Sequence, residues 1–293
     1  MELILEMLNF VFMRRAIMVG LLVSLCAALL GVSLVLKRYA MIGTGLSHVG
    51  FAAIVITGVV VDMIPPAWIM GFPPLARMIE FSPIILPMLV VVGAAFLLLR
   101  LSESSKIKGD SAVALISTSG LAIGVIVMGL TTGITLHICN VLFGSIFAMS
   151  AADMYLSIVL SIAVIALFVL FYKQIFAVTY DESFAKATGT KVELYKSMLS
   201  LLTAVTVVLG MRMMGALLIA SLTLFPALSA MRLCKRFLFV VITAAIVAVV
   251  CFFAGMVISF AYNLPPGASV VGVNLVVFLL SSGVALIRRG GRA

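Results

Sequence analysis

The sequence predicts an all-α membrane protein, a transmembrane bundle of about nine spans, with eight or ten as alternatives. The 293 residues have a mean hydropathy of +1.36. Uncharged stretches recur along the chain, and their length is close to the roughly 20 residues that a helix needs to cross a bilayer. The basic residues cluster between these stretches. No soluble block or linker interrupts the pattern, so residues 1–293 are predicted to form a single integral-membrane domain.

The first elements follow from the uncharged stretches at the N-terminal end. Glu2 and Glu6 precede the first arginines, so residues 1–13 are predicted to form an interfacial helix rather than a cleaved signal peptide. Residues 16–36, 39–61 and 81–99 are predicted spans. Residues 111–152 are uncharged over more than one span length, and their polar second half favours a re-entrant element.

A broken span or hairpin is predicted between Lys196 and Arg232. The two uncharged pieces there are each short for a crossing and flank Arg212. Gly210 and Gly215 would relieve the turn, while a proline further along, at 226, removes one helical hydrogen bond. Two crossings in this region bring the total to nine.

Five basic clusters predict the topology. They contain the lysines and arginines of residues 37–38, 100–108, 173–196, 232–236 and 288–292. All five are assigned to the cytoplasm by the positive-inside rule, which places the N-terminus outside and the C-terminus in the cytoplasm. The net charge of +9 is therefore explained by topology in a multi-pass protein of a prokaryotic cell membrane. Its surroundings are lipid, and nucleic acid is not an expected partner.

His48 is the main candidate functional residue. It lies ten residues beyond Arg38, or about 15 Å along a helix and hence near the bilayer midplane. Thr44 lies one turn earlier on the same face, and Ser47 adjoins it. A titratable group at that depth is costly and marks a functional site, and imidazole binds zinc, iron and, more weakly, manganese. A histidine that only hydrogen-bonds to a neighbouring helix is the alternative.

Residues 178–196 form a predicted cytoplasmic loop that contains a short helix. Thr179 and Glu182 have the spacing of a capping box, and Gly189 is suited to end the helix. Ala185 and Gly189 are small residues one turn apart, which suits docking into a groove on a partner protein. An ordinary amphipathic surface helix is the alternative.

The order of several motifs identifies a family resemblance. The motifs are LVLKRYAMIGTGLSHVGFAA, GDSAVALISTSGLAIG, NVLFGSIFAMSAAD, residues 179–230 and LPPGASVV. From about Arg14 to Leu280 the chain resembles the membrane permease of the ABC-3 family of metal importers. The resemblance implies a fold like that of type II ABC importers and a permease dimer, most often a homodimer. It also implies two partners, a cytoplasmic ATP-binding subunit and an extracytoplasmic metal-binding protein.

The resemblance also implies the cargo and the site residues. The cargo would be zinc, manganese or iron, with no covalently bound cofactor and with ATP hydrolysis on a separate subunit, so that this chain is not itself an enzyme. The family site at the dimer axis has the pattern G-D-x-x-S/A-H, in which Gly43 and His48 match and Thr44 replaces the aspartate. That change removes a ligand oxygen and a compensating charge. The residues that fall on the family's ATPase-coupling helix are Asp181, Glu182, Ala185 and Gly189.

Two other transporter classes remain as alternatives. A permease for an organic metal chelate would share the ABC architecture, and a secondary transporter would also be polytopic. Secondary transporters usually carry several ionisable groups within their spans, whereas no acidic residue lies well inside a predicted span here. An intramembrane enzyme is excluded, because the sequence has no paired aspartates and no H-E-x-x-H.

Overall fold

The computed structural model describes residues 7, 9–37, 41–63, 86–97, 109–130 and 151–290. These residues form helices and turns, with no strand among them, so the predicted all-α bundle is confirmed. The helices are α1 (Val11–Leu36), α2 (Ile42–Asp62), α3 (Leu86–Leu97), α4 (Gly109–Gly129), α5 (Ala151–Leu170), α6 (Tyr172–Tyr180), α7 (Glu182–Ala187), α8 (Val192–Met214), α9 (Ala216–Leu233), α10 (Phe237–Tyr262) and α11 (Pro266–Gly290).

The described helices account for most of the predicted spans. Seven of them (α1, α2, α4, α8, α9, α10 and α11) are long and apolar enough to cross a membrane, and α5 with α6 is a further candidate bent by 69°. The apolar helix α3 is shorter. Nine therefore remains an approximate count for the whole chain. Most of the predicted interfacial helix at residues 1–13 lies outside the described residues, and its last part begins α1.

Helix α1 is the centre of the bundle. It packs against α5, α8, α9 and α10, and 72% of its most apolar stretch is buried. Small residues make this close packing possible. A Cβ at Gly31 would overlap the backbone carbonyl of Thr223 on α9, and one at Gly20 would overlap the ring of Phe252 on α10. These four helices thus pack around a central apolar helix.

The predicted break between residues 210 and 215 is confirmed. Helix α8 ends and α9 begins at Gly215, whose φ of 86° lies in the left-handed region that favours glycine. The chain turns sharply there. The side chain of Ile219 on α9 lies against Gly210 on α8 and would overlap a Cβ at that position. Pro226 lies inside α9 without ending it.

Helices α2 and α4 are held together by glycines. A Cβ at Gly120 of α4 would lie 3.0 Å from the Cα atom of Val49 on α2, and one at Gly124 would lie 2.8 Å from the ring of Phe51. Gly45 gives the same close approach from the α2 side. Small residues spaced by four along a helix let two membrane helices approach to backbone contact. This packing fixes α4 against the part of α2 that carries His48.

We expect Gly120→Ala to destabilise the α2–α4 pair. The added methyl group meets backbone rather than a flexible side chain, and overpacking of this kind costs about 1–3 kcal/mol. Gly129→Ala on the same helix is the control, since a Cβ there meets nothing within 4 Å. The melting temperature of the purified protein should fall for Gly120→Ala and hold or rise for Gly129→Ala. Equal melting temperatures would contradict the observed packing.

Candidate functional site

His48 forms a hydrogen bond that links two helices. It lies in the second turn of α2, half-buried, and its Nδ1 atom is 2.7 Å from Oγ of Ser117 on α4. The ring's second nitrogen, Nε2, takes no part in this bond. The contact across a helix interface proposed as the alternative for this histidine therefore exists, and it leaves one nitrogen for a ligand.

The two hydroxyl residues near His48 in the sequence have different positions in the structure. Thr44 is half-buried and lies one turn before His48, on the same face. Ser47 is 1% exposed and its Oγ donates a hydrogen bond of 2.7 Å to the carbonyl of Gly43. The structure thus keeps Thr44 next to the histidine and directs Ser47 into the protein interior.

Ser117 is a partner of His48 that sequence reasoning missed. It lies within the motif GDSAVALISTSGLAIG, but nothing in that motif distinguishes it from the neighbouring hydroxyl residues Thr118 and Ser119. Its partner is 69 positions away in the chain. Only the packing of α4 on α2 brings the two side chains together.

One copy of the chain provides an incomplete metal-binding set in its described part. No three histidine, cysteine, aspartate or glutamate side chains of the described residues come together where they could hold a metal ion. His48 offers one nitrogen, and Thr44 adds a neutral hydroxyl on the same face. Because zinc takes about four ligands and larger divalent cations take six or more, a bound cation would need further ligands from water, another chain or its own chelator.

The predicted loop helix is α7, and its N-terminal cap differs from the prediction. The capping side chain is Asp181, whose Oδ1 accepts a 2.9 Å hydrogen bond from the backbone N–H of Phe184. The prediction of Thr179 as the cap was wrong, because α6 continues through Thr179 to Tyr180 before the chain turns. Helix α7 is therefore shorter than the predicted span from Thr179 to Gly189.

The predicted C-terminal end of this helix is confirmed at Gly189. Its φ is 80°, and its N–H donates to the carbonyl of Lys186 at 3.1 Å. The N–H of Thr190 donates to the carbonyl of Ala185 at 3.0 Å. Together these bonds form a Schellman motif. Helix α7 is thus closed by hydrogen bonds at both ends.

The small residue Ala185 faces the interior of the chain. It is fully buried and packs with Val178 of α6 and Val192 of α8. Three aromatic side chains of α6 and α7 are exposed: Phe176 is 38%, Tyr180 is 80% and Phe184 is 63% exposed. The exposed surface of α6 and α7 therefore includes these aromatic residues and the open Gly189, while Ala185 packs α7 onto its neighbours.

Glu182 anchors α7 electrostatically. Its Oε1 lies 2.6 Å from Nζ of Lys196 on α8 and 3.7 Å from Nζ of Lys186. Burial alone would raise the pKa of the Glu182 carboxyl, but the hydrogen bond and charge of Lys196, with the charges of Lys37 and Lys186, hold it below its usual value. The contact is thus fully present above the ordinary glutamate pKa and is lost only as the pH falls through the lowered value.

Comparison with known proteins decides the family. Residues 9–285 match the ABC 3 transport family. The chain belongs to this family. Members of the family are membrane permeases, so the apolar helices of this ABC 3 permease are those of a multi-pass membrane protein.

Named relatives match this ABC 3 permease over nearly its whole length. The manganese transport system membrane protein MntC of Halalkalibacterium halodurans is 26% identical over 276 residues, or 94% of this chain and 88% of the relative. A probable iron transport system membrane protein of Haemophilus influenzae is 29% identical over 288 residues, or 97% and 98% of the two chains. Among solved structures, PsaBC of Streptococcus pneumoniae, in complex with a Fab, matches with a TM-score of 0.78 at 24% identity, covering 96% of this chain and 94% of that one. That likeness shows the fold.

Proposed function

We propose that this chain is the permease subunit of an ATP-driven importer of divalent metal ions, zinc, manganese or iron, with its pathway along the His48 face of α2. The observation that carries the proposal is the half-buried His48 imidazole, whose Nε2 takes no part in the hydrogen bond with Ser117. Family membership and the relatives named for manganese and iron support the same cargo class.

A second copy of the permease would complete the cation site. In a two-fold dimer each residue near the axis meets its own counterpart, so a site at the axis would contain two His48 imidazoles. Thr44 would supply a neutral hydroxyl in place of a carboxylate, and water would fill the remaining positions. Such a site holds a cation weakly, and conduction requires binding that is weak enough for release.

The ATP-binding subunit is proposed to contact α7. Phe184 and Tyr180 present an exposed aromatic surface there, while the Asp181 cap and the turn at Gly189 fix the shape of the helix.

Glu182 connects α7 to the membrane helices. It pairs with Lys196 on α8 and interacts electrostatically with Lys37 at the end of α1. Helix α2 begins shortly after Lys37, so motion of α7 would be passed to the helix that carries His48. In this arrangement α7 and the C-terminus are cytoplasmic and the metal-binding protein docks on the opposite side.

An importer of an organic metal chelate is the second candidate. Thr44 stands where the family motif has an aspartate, and the acidic residues of the described helices lie near helix ends rather than beside His48. A chelator brings its own ligand atoms and offsets the charge of the cation, so a neutral site would suit it. A secondary transporter is less well supported, because it would need paired ionisable groups at membrane depth.

We expect His48→Ala to reduce metal uptake by the reconstituted complex by at least the roughly 10- to 100-fold that losing only the outer partner of a metal ligand costs. Ser47→Ala is the control on the same helix, since that hydroxyl is buried and donates to the carbonyl of Gly43 within α2. Uptake of radiolabelled zinc, manganese and iron into proteoliposomes measures both variants and identifies the cargo. Undiminished uptake of all three metals by His48→Ala would remove this residue from the pathway.

The variant Thr44→Asp should distinguish between a free cation and an anionic chelate as the cargo. A carboxylate one turn from His48 would add an anionic ligand, so for a free cation the KM should fall and turnover should slow as release becomes harder. For an anionic chelate the same carboxylate would repel the cargo and the KM should rise. Thr44→Val, of nearly the same shape without charge, controls for packing. A KM that rises for free metal ions would argue against the cation site.

For energy coupling, we expect Glu182→Gln to lower the amount of metal imported per ATP hydrolysed. The neutral amide loses the ion pair with Lys196, so the charged link between α7 and α8 is lost and the packing of Ala185 with Val192 remains. Glu193→Gln is the matched control, because its 3.5 Å contact with Lys186 is solvent-exposed, with 68% of the Glu193 side chain accessible. ATPase activity and uptake are measured on the same proteoliposomes. Identical coupling ratios in the two variants would exclude the Glu182 anchor from force transmission.

A further inference from the structure

We propose that Ser117 is a positioning residue for His48: it fixes the imidazole so that Nδ1 carries the ring proton and Nε2 presents its lone pair to the cargo. The inference rests on the proposed function and extends it to a residue on a different helix. The observation behind it is the 2.7 Å contact between the Nδ1 atom and Oγ of Ser117 across the α2–α4 interface.

Binding of a cation at Nε2 requires this arrangement of the neutral ring. One nitrogen carries the proton and the other has the lone pair, and a cation can bind only the second. If Nδ1–H donates to the Ser117 oxygen, Nε2 is free to bind the cation. If instead the serine hydroxyl donates to Nδ1, the proton lies on Nε2 and blocks it. Binding of a cation at Nε2 therefore selects the first arrangement, and Ser117 provides its acceptor.

The serine hydroxyl can take the acceptor role in this contact. It carries one hydrogen and two lone pairs, so a lone pair can accept from Nδ1–H while the hydroxyl hydrogen points away from the ring. The neighbouring Thr118 instead donates to the carbonyl of Ala114 in its own helix, at 2.8 Å.

The close packing of α2 and α4 sets the length of this contact. A Cβ placed on Gly45, one turn before His48, would lie 3.9 Å from Cβ of Ser117, and Gly120, one turn after Ser117, meets the backbone of α2. The serine therefore lies between two points of close helix contact. Its short side chain reaches the imidazole only because the helices approach this closely, so the ring is held by rigid elements.

A serine partner also has a different consequence from a carboxylate partner. A carboxylate on the far nitrogen raises the basicity of a ligating histidine and tightens its hold on the metal. A neutral hydroxyl orients the ring with less effect on basicity. With Thr44 also neutral, Ser117 completes a site that is orienting rather than tightly binding. This property suits a residue that must release its cargo in every cycle.

Three substitutions at position 117 test the inference. Ser117→Thr keeps the hydroxyl, Ser117→Val has nearly the same shape as threonine without it, and Ser117→Ala removes it with least bulk. The control is Thr118→Ala, an exposed neighbour whose hydroxyl bonds to its own helix. The reconstituted complex is assayed for the KM and the maximal rate of zinc, manganese and iron uptake, with complex assembly checked by size-exclusion chromatography.

The expected result is a KM that rises roughly 10- to 100-fold in Ser117→Val and Ser117→Ala, the usual cost of losing the outer partner of a metal-ligating histidine. The maximal rate should stay near the wild-type value, and Ser117→Thr and Thr118→Ala should keep the wild-type KM. The threonine and valine variants differ only in the hydroxyl, so this pair decides the question even if the alanine variant assembles poorly.

Two results would overturn the inference. If Ser117→Val and Ser117→Thr share the same KM, the hydroxyl does not position the ring. If all variants lower the maximal rate at constant KM, Ser117 contributes to packing alone. In either case a large loss of uptake in His48→Ala would leave the proposed function standing. Unchanged uptake in His48→Ala would instead overturn the proposed function.

Discussion

The absence of water in the bilayer is the constraint on which this structure depends. A polar group within the hydrocarbon region must find its partner inside the protein, and many hydroxyl groups of the described spans meet this requirement within their own helix. Ser47, Thr57, Thr203 and Thr206 each donate to the carbonyl four residues earlier in the same helix. The His48–Ser117 pair departs from this pattern, because it joins side chains of two different helices. A hydroxyl such as that of Ser117 could have bonded within its own helix. Its contact with His48 instead makes the α2–α4 interface the candidate for function.

The parts of the fold that could be predicted are those determined by local chemistry. Hydropathy predicted the spans, and a glycine between two short apolar pieces predicted the reversal at Gly215, because only glycine readily adopts a φ of 86°. The end of α7 at Gly189 follows from the same property. The start of α7 could not be predicted in this way. The spacing favoured Thr179, but the packing of Val178 with Ala185 and Val192 keeps α6 helical past that residue, and the capping role passes to Asp181.

The candidate site was predictable only in part, for the same reason. His48 is identifiable from composition, since an ionisable residue in an apolar stretch is rare and costly. Its partner Ser117 is one of several hydroxyl residues in an unremarkable stretch of α4 and becomes visible only when two distant segments are packed together. Ala185 shows the converse. A small residue at helical spacing looks the same in sequence whether it faces a partner or the interior, and here it faces the interior.

Helix α7 is very short, with six residues, or about 9 Å of helical rise. Isolated helices of this length unravel in water, yet the Asp181 cap, the Schellman turn at Gly189 and the Glu182–Lys196 contact close both ends and fasten one side. A segment so short and so fully bonded has little compliance. It would move as a stiff lever rather than bend, so a displacement applied at Phe184 would reach Lys196 almost undiminished. A displacement of α7 by a partner bound at its exposed face would then produce a displacement of about the same size in the membrane helices.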